Sequence, residues 1–287
     1  MLPPKLAGIP SPNILHSMRG SLRYIIALLV AGFSLISYWC NRQTNPVTGE
    51  VQHVSMTPEQ EIALGLQAAP EMAQQYGGLY RDERAQQAVD EIGQRLVQAS
   101  GAGNSPYKFD FHLLADEQTI NAFALPGGQV FLTAGLMSKL KSEGQLAGVL
   151  GHEIGHVIGR HSAEQLAKSQ LTQGLAGAAG IAAYDPDRPG RSVVNAAVAA
   201  AIAKVINLRF GREDELDADR QAVKYTAEAG YDPRAMIQVM QILQANGGSS
   251  RSPEFLSTHP DPGNRIGVLE REISEEYPNG VPGGLKP

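Results

Sequence analysis

The stretch LAGVLGHEIGHVIGRHSAEQLAK, residues 146–168, decides how the chain is read. Within it HEIGH sets His152 and His156 four residues apart. On an α-helix turning about 100° per residue, their side chains stand about 40° apart on one face, so two imidazoles can grip one Zn²⁺. Glu153 lies beside the first histidine, where its carboxylate can take a proton from an activated water, and Gly155 leaves room for a close neighbour. Such a motif also arises by chance with two surface histidines. Here Leu146, Val149, Leu150, Ile154, Val157 and Ile158 surround it and predict a buried helix, in which unpaired polar groups would be costly. A ligand role accounts for burying them. Ser142 with Gln145 reads as a capping box that opens this helix.

Zinc needs a third protein ligand and an open position for water. The pattern H-E-x-x-H-x-x-G-x-x-H is almost present, with Gly159 in place, but position 162 is Ser and the histidine falls one residue early at His161. If the helix continues, His161 stands about 900° from His152, on the opposite side. It is therefore assigned a structural or surface role. The run GREDELDAD, 211–219, offers two Glu-x-x-x-Asp pairs. The face carrying Glu213 continues through Leu216, Asp217, Arg220 and Lys224 and is expected to point at water. The face carrying Glu215 continues through Ala218, Asp219, Ala222 and Thr226, small enough for another helix to pack closely. Glu215 is thus the expected third ligand. Asp219, one turn on, would accept a hydrogen bond from the non-metal nitrogen of a zinc histidine, His152 by choice, and fix its tautomer.

Working outward, KFDFHLL alternates Phe109, Phe111 and Leu113 on one face as a strand, and QVFLTAG after NAFALPGG is another. Thr57-Pro58 with Gln60 reads as a capped helix start, and Val89, Ile92, Leu96 and Val97 mark the apolar face of a second helix. The expected fold is α+β, mostly helical, with a small β-sheet whose edge strand flanks the motif helix. A net charge of −5 argues against a nucleic-acid partner, and 43% hydrophobic residues suffice for a real core. The first 39 residues hold Lys5, Arg19 and Arg23 and no acidic residue, and 16 uncharged residues run from Tyr24 to Trp39. Residues 1–39 therefore read as a leader that meets a membrane: a signal peptide, a lipoprotein signal ending at Cys40, or an uncleaved anchor. The single cysteine excludes an intrachain disulfide. Residues 40–56 read as a tether, 57–275 as the metal-binding domain and 276–287 as a loose tail. Two apolar stretches, LTQGLAGAAGIAAY and VVNAAVAAAIAKVI within 171–206, read as a helical hairpin, each too short to span a bilayer.

HEIGH at 152–156, E-x-x-A-D at 215–219 and THP at 258–260 together resemble metallopeptidase family forty-eight, the gluzincin family of the CAAX prenyl endopeptidase and HtpX. Further marks are EIALG at 61–65, NAFALPGG at 121–128, Arg212 and Arg265, and the likeness covers about 50 to 275. The single leader segment brings it nearest the envelope quality-control branch. The resemblance implies a zincin domain with one Zn²⁺ per chain, Glu153 as general base and then acid, and an extended substrate paired with the edge strand. Asn121, Ala122, Phe123 and Ala124 would make that pairing by β-augmentation, which reads main chain more than sequence and suits misfolded substrates.

The resulting expectation is a zinc endopeptidase of the cell envelope, its domain on the extracytoplasmic side, acting on unfolded or misassembled proteins. The alternatives are a chaperone-like or scaffold protein with a structural or self-blocked zinc site, and a metalloenzyme for a non-peptide ester or amide. Glu153 favours catalysis, because a closed structural site needs no neighbouring base. His259 stands in STHPDPGNR, where Asp261 can cap a helix starting at Pro262. From there it could stabilise an oxyanion, block the open zinc position, or be a turn histidine.

Overall fold

The computed structural model describes residues 12–182, 210–247, 253–259 and 265–287. The second half of the expected hairpin, residues 193–206, and the cap formed by Asp261 and Pro262 lie outside them. Helix α1 (Pro12–Cys40) leads into a two-stranded antiparallel hairpin, β1 (Arg42–Thr44) and β2 (Val51–His53). Helices α2 (Pro58–Gln75) and α3 (Glu83–Ala99) follow, then strands β3 (Asp110–Leu114), β4 (Ala122–Ala124) and β5 (Gln129–Thr133). The short α4 (Ala134–Met137) precedes α5 (Glu143–Ile158) and α6 (His161–Ala182). After the undescribed stretch come α7 (Arg212–Glu228), α8 (Ala235–Gly247), the single turn α9 (Phe255–Thr258) and α10 (Arg265–Glu276). The fold is α+β and mostly helical.

The three-stranded sheet has β5 in the middle, parallel to β3 and antiparallel to β4, with Phe123 opposite Phe131. All five residues of β5 are buried, as a strand covered on both faces requires. Phe109, Phe111 and Leu113 point into the core, where Phe111 packs over Gly93 of α3. β4 is an edge, paired on one side by β5. The EIALG and NAFALPGG segments meet: Gly65 on α2 abuts the Pro126 carbonyl, and Gly127, at φ +84°, abuts Ile62, so side chains at either glycine would drive α2 off the turn.

α5 is the central element, with every residue from Gly144 to Ile158 buried. A helix buried all round is expected to be apolar all round, and its Leu, Val and Ile side chains each contribute roughly 1.5–3 kcal/mol. That offsets the roughly 1–3 kcal/mol that each under-satisfied polar group costs, so the motif can be carried inside. Ser142 caps α5 by accepting from the Gln145 backbone amide, but the Gln145 side-chain oxygen Oε1 accepts from the Lys141 backbone N–H rather than from that of Ser142. α2 has the full box from Thr57 and Gln60.

Two segments differ from their reading. Residues 40–56, read as a tether, form the hairpin and pack on the end of α5: the buried Asn45 donates to the Ile158 carbonyl at 2.7 Å, and the buried Gln52 donates to that of Gly159. These are orphan carbonyls of a helix C-terminus, which need donors once water is excluded. Residues 276–287, read as a loose tail, return to the body. Lys286 exchanges backbone hydrogen bonds with Gly230 and Asp232, and the Pro287 carbonyl accepts from Gly144 in the first turn of α5. α1 packs along α6 and leaves Leu28, Leu29, Phe33 and Trp39 exposed. Among the described residues no helix is long and apolar enough to cross a membrane.

Candidate metal centre

α5 and α7 cross where Gly151 and Gly155 face Ala222 and Ala218, and this contact sets the site. A Cβ on Gly155 would stand 3.0 Å from the Ala218 Cα and carbonyl oxygen, so only glycine lets α7 come this close. The approach brings Glu215 of α7 against the two histidines of α5. Its oxygens lie 3.5 Å from His152 Nε2 and 3.5 Å from His156 Nε2, and those nitrogens are 3.1 Å apart. His259, at the end of α9, joins them with Nδ1 at 3.0 Å from Glu215 and 3.3 Å from His152. One donor atom from each of His152, His156, Glu215 and His259 falls within 4.8 Å of the others, and all four residues are buried.

Several buried polar atoms of the cluster are left without hydrogen bonds even with the Arg265 guanidinium beside it. Both oxygens of Glu153, Oε2 of Glu215 and Nε2 of His259 are buried without a hydrogen-bond partner among the described residues. Two imidazoles and a carboxylate are a donor set suited to zinc, and a cation among them would satisfy atoms that otherwise cost energy. Burial raises the Glu153 carboxyl above the ordinary range. Burial would also raise Glu215, but the charge of His259 and hydrogen bonds from His152, His156 and His259 carry it well below. His156 is pushed well down by burial. His152 is pushed down by burial and by the Arg265 charge, yet hydrogen bonds to Asp219 and Glu215 outweigh both and lift it to about 9.

Behind the cluster, Asp219 Oδ1 lies 3.0 Å from His152 Nδ1. Arg265, from α10 and fully buried, grips both oxygens of Asp219 and places its remaining terminal nitrogen 3.0 Å from Glu215. The Arg265 charge helps hold the Asp219 carboxyl below its usual range despite burial. Phe210 stacks on His156 at 3.9 Å between ring centroids and Phe255 on His259 at 4.5 Å, closing the site with carbon.

Of the two carboxylate pairs, Glu213 is exposed, whereas Asp217 is buried, against the expectation that this whole face meets water. What covers Asp217 is His161. The motif helix does not continue to that residue. It stops at Ile158, Arg160 takes a left-handed conformation at φ 55°, and α6 starts afresh at His161, turning that imidazole back toward His156 rather than away. Arg160 is fixed there by Glu61 of EIALG and by the Met56 carbonyl, and Glu61 also accepts from Tyr107. Arg212 is exposed at the start of α7.

Of the edge-strand residues, Asn121, Phe123 and Ala124 line a small cavity of about 30 Å³ shared with Tyr76 and His259. Ala122 and Ala124 share the opposite face of the strand from Phe123 and pack in the main core, Ala124 also bordering the cavity. Asn121 donates to Tyr76, which donates at 2.5 Å to Glu254, tying strand, α2 and the turn bearing His259. Sequence reasoning gave no role to Arg265 beyond a family mark and none to Phe210, because each reaches the site from a separate element with no fixed spacing from the motif.

A family model described as Peptidase family M48 matches residues 83–273. The beta-barrel assembly-enhancing protease of Escherichia coli K12 is 32% identical over 205 residues, which cover 70% of this chain and 41% of that protein. Its counterpart in Yersinia pestis is 31% identical, covering 82% and 48%. The mitochondrial metalloendopeptidase OMA1 of Schizosaccharomyces pombe is 28% identical, covering 88% and 72%. The chain spans less than half the length of those two bacterial relatives.

Proposed function

The chain belongs to peptidase family M48, and from that premise we propose that it is a zinc-dependent endopeptidase hydrolysing misfolded or misassembled proteins of the cell envelope. The observation that carries the proposal is the convergence of His152, His156 and Glu215 on one point, with the buried Glu153 beside it, neither of its oxygens hydrogen-bonded and Oε1 lying 3.6 Å from His259 Nε2. In this reading those three residues hold one zinc ion per chain. Zinc, when bound, would supply Lewis acidity, polarising a peptide carbonyl and lowering the pKa of a water. Glu153 takes the proton of that water and returns it to the leaving amine, and its raised pKa favours the second role. Asp219, locked by Arg265, keeps the proton of His152 on Nδ1 so that Nε2 is free to bind. The edge strand β4, buried at Asn121 to Ala124, would pair its backbone with an extended substrate.

His259 acts on the same point. It would either stabilise the oxyanion during turnover or serve as a further ligand that keeps the site closed. Its place among the candidate ligands favours the second action, and also favours the alternative function of a chaperone-like or scaffold protein with a closed site. The exposed apolar side chains of α1 support contact with a membrane surface of the envelope, and in this reading the domain lies on the extracytoplasmic side. Lipid attachment at the exposed Cys40 would add to that anchoring.

The test is Glu153→Gln, with zinc content measured beside cleavage of unfolded casein. Stoichiometric zinc with at least ~10²-fold loss of cleavage is expected. Full activity in the variant would end the proposed mechanism, and an inert but zinc-loaded wild type would favour the scaffold.

A further inference from the structure

The geometry points to His161 as the residue that positions His156 for metal binding, with Asp217 behind it. The inference rests on the zinc reading above and goes beyond it, since His161 is no ligand in that reading. His156 turns Nε2 to the ligand cluster, 3.1 Å from His152 Nε2. Its other nitrogen, Nδ1, lies 2.9 Å from His161 Nδ1. His161 Nε2 in turn lies 3.3 Å from Asp217 Oδ2, and Asp217 Oδ1 accepts from Arg220 at 3.2 Å. The three residues are buried, with relative exposures of 2%, 2% and 4%.

Hydrogen-bond chemistry then fixes the protons. A neutral imidazole carries one N–H, and binding metal through Nε2 requires that His156 carry it on Nδ1. That N–H must donate, and the atom facing it is His161 Nδ1, which can accept only if the His161 proton is on Nε2. A proton on Nε2 faces Asp217 Oδ2 at 3.3 Å, an oxygen that has no hydrogen-bond partner among the described residues and is therefore free to accept it. The chain Asp217, His161, His156 therefore has one consistent arrangement, and in it His156 presents a lone pair to the cluster. The other histidine is served more directly, with Asp219 on Nδ1 of His152. Asp217 and Asp219, two residues apart on α7, thus back the two histidines of α5, one through an intermediate imidazole and one without. The left-handed turn at Arg160 makes this possible, because on a continuous helix His161 would face away from His156.

Zinc affinity of the full chain, measured by competition with a chromogenic chelator, tests the inference on wild type, His161→Leu, His161→Asn and Asp217→Ala. His161→Leu should bind zinc ~10- to 100-fold more weakly. His161→Asn should recover most of that loss, because the Asn side-chain oxygen can stand where Nδ1 stands and accept from His156. Asp217→Ala should fall between wild type and His161→Leu. Metal-free His161→Leu and metal-free His161→Asn should both melt below metal-free wild type, because each leaves the buried Asp217 without its imidazole partner, so the affinity difference between these two variants reads the hydrogen bond to His156. Equal affinity in wild type and His161→Leu would overturn the proposal, and so would equal losses in the Leu and Asn variants accompanied by matching drops in metal-free stability. Should His161→Leu fail to fold, Asp217→Ala at wild-type affinity would overturn it, and a weakened Asp217→Ala beside a near-normal His161→Asn would support it. A wild type that binds no zinc would instead sink the metal-centre reading, and this inference with it.

Discussion

Arg265 donates to both carboxylate oxygens of Asp219 at 2.6 Å, and neither residue is exposed to solvent. A bidentate pair of this kind is planar and directional, so it fixes the orientation of Asp219 toward His152 as well as its charge. Arg265→Met removes the cation and leaves Asp219 buried without its compensation. The expected loss is about 3–5 kcal/mol of stability, read from urea unfolding of the metal-free protein. Arg265→Lys should recover only part of it, because an ammonium cannot make both bonds in one plane. A wild-type unfolding midpoint in Arg265→Met would contradict this account of the clamp.

Glu215→Gln is expected to weaken zinc retention severely, since an amide oxygen replaces the carboxylate that faces both histidines. Glu213→Gln should be close to neutral, because Glu213 is exposed. Asp219→Asn should lie between, with a loss of ~10- to 100-fold in affinity or activity. Metal analysis after gel filtration decides the order, and the reverse order would sink the assignment of Glu215.

His259→Ala separates the two actions assigned to that residue. Loss of ~10² to 10³ in turnover with zinc retained is expected if His259 stabilises the oxyanion. A gain in turnover is expected if it fills the open position. One quenched peptide assayed on both proteins suffices, and equal rates would remove His259 from the active site.

Gly155→Ala and Gly151→Ala test the helix contact that delivers Glu215. The new methyl on Gly155 would meet the Ala218 backbone at 3.0 Å, so α7 must retreat, at a cost of about 1–3 kcal/mol and with reduced zinc content. On Gly151 the nearest atoms are 3.4 Å away, an ordinary contact, and the gain in helix propensity of up to about 1 kcal/mol should leave that variant neutral or more stable. Equal midpoints for the two variants would show that the crossing tolerates extra volume.

The residues brought to the cluster from α5 and α7 were legible because helical periodicity is local: His152 with His156, and Glu215 with the small residues of its own face. The same rule misled where the helix stops. His161 was placed on the far side by assuming that α5 continues, and nothing near Arg160 announces a left-handed residue whose cause, Glu61, lies 99 positions earlier. Asp217 was assigned to solvent for the same reason, since the cover over it is His161. Arg265 comes from a different helix, at a distance along the chain that no motif constrains. The alternation of Phe109, Phe111 and Leu113 identified β3, but the parallel pairing with β5 is a tertiary choice that alternation does not encode.

The donors that Asn45 and Gln52 offer to the last carbonyls of α5 bear on where this fold can be cut. A protein trimmed to start at Thr57, where the first capped helix of the body begins, would lose both amides and leave two buried acceptors dry, at roughly 1–3 kcal/mol each. The matched family region begins later still, at residue 83, and omits Glu61 as well. A chain trimmed to either boundary would carry every candidate site residue named above and yet lack side chains that close the end of the helix bearing His152 and His156. A unit that keeps both donors must therefore begin before Asn45.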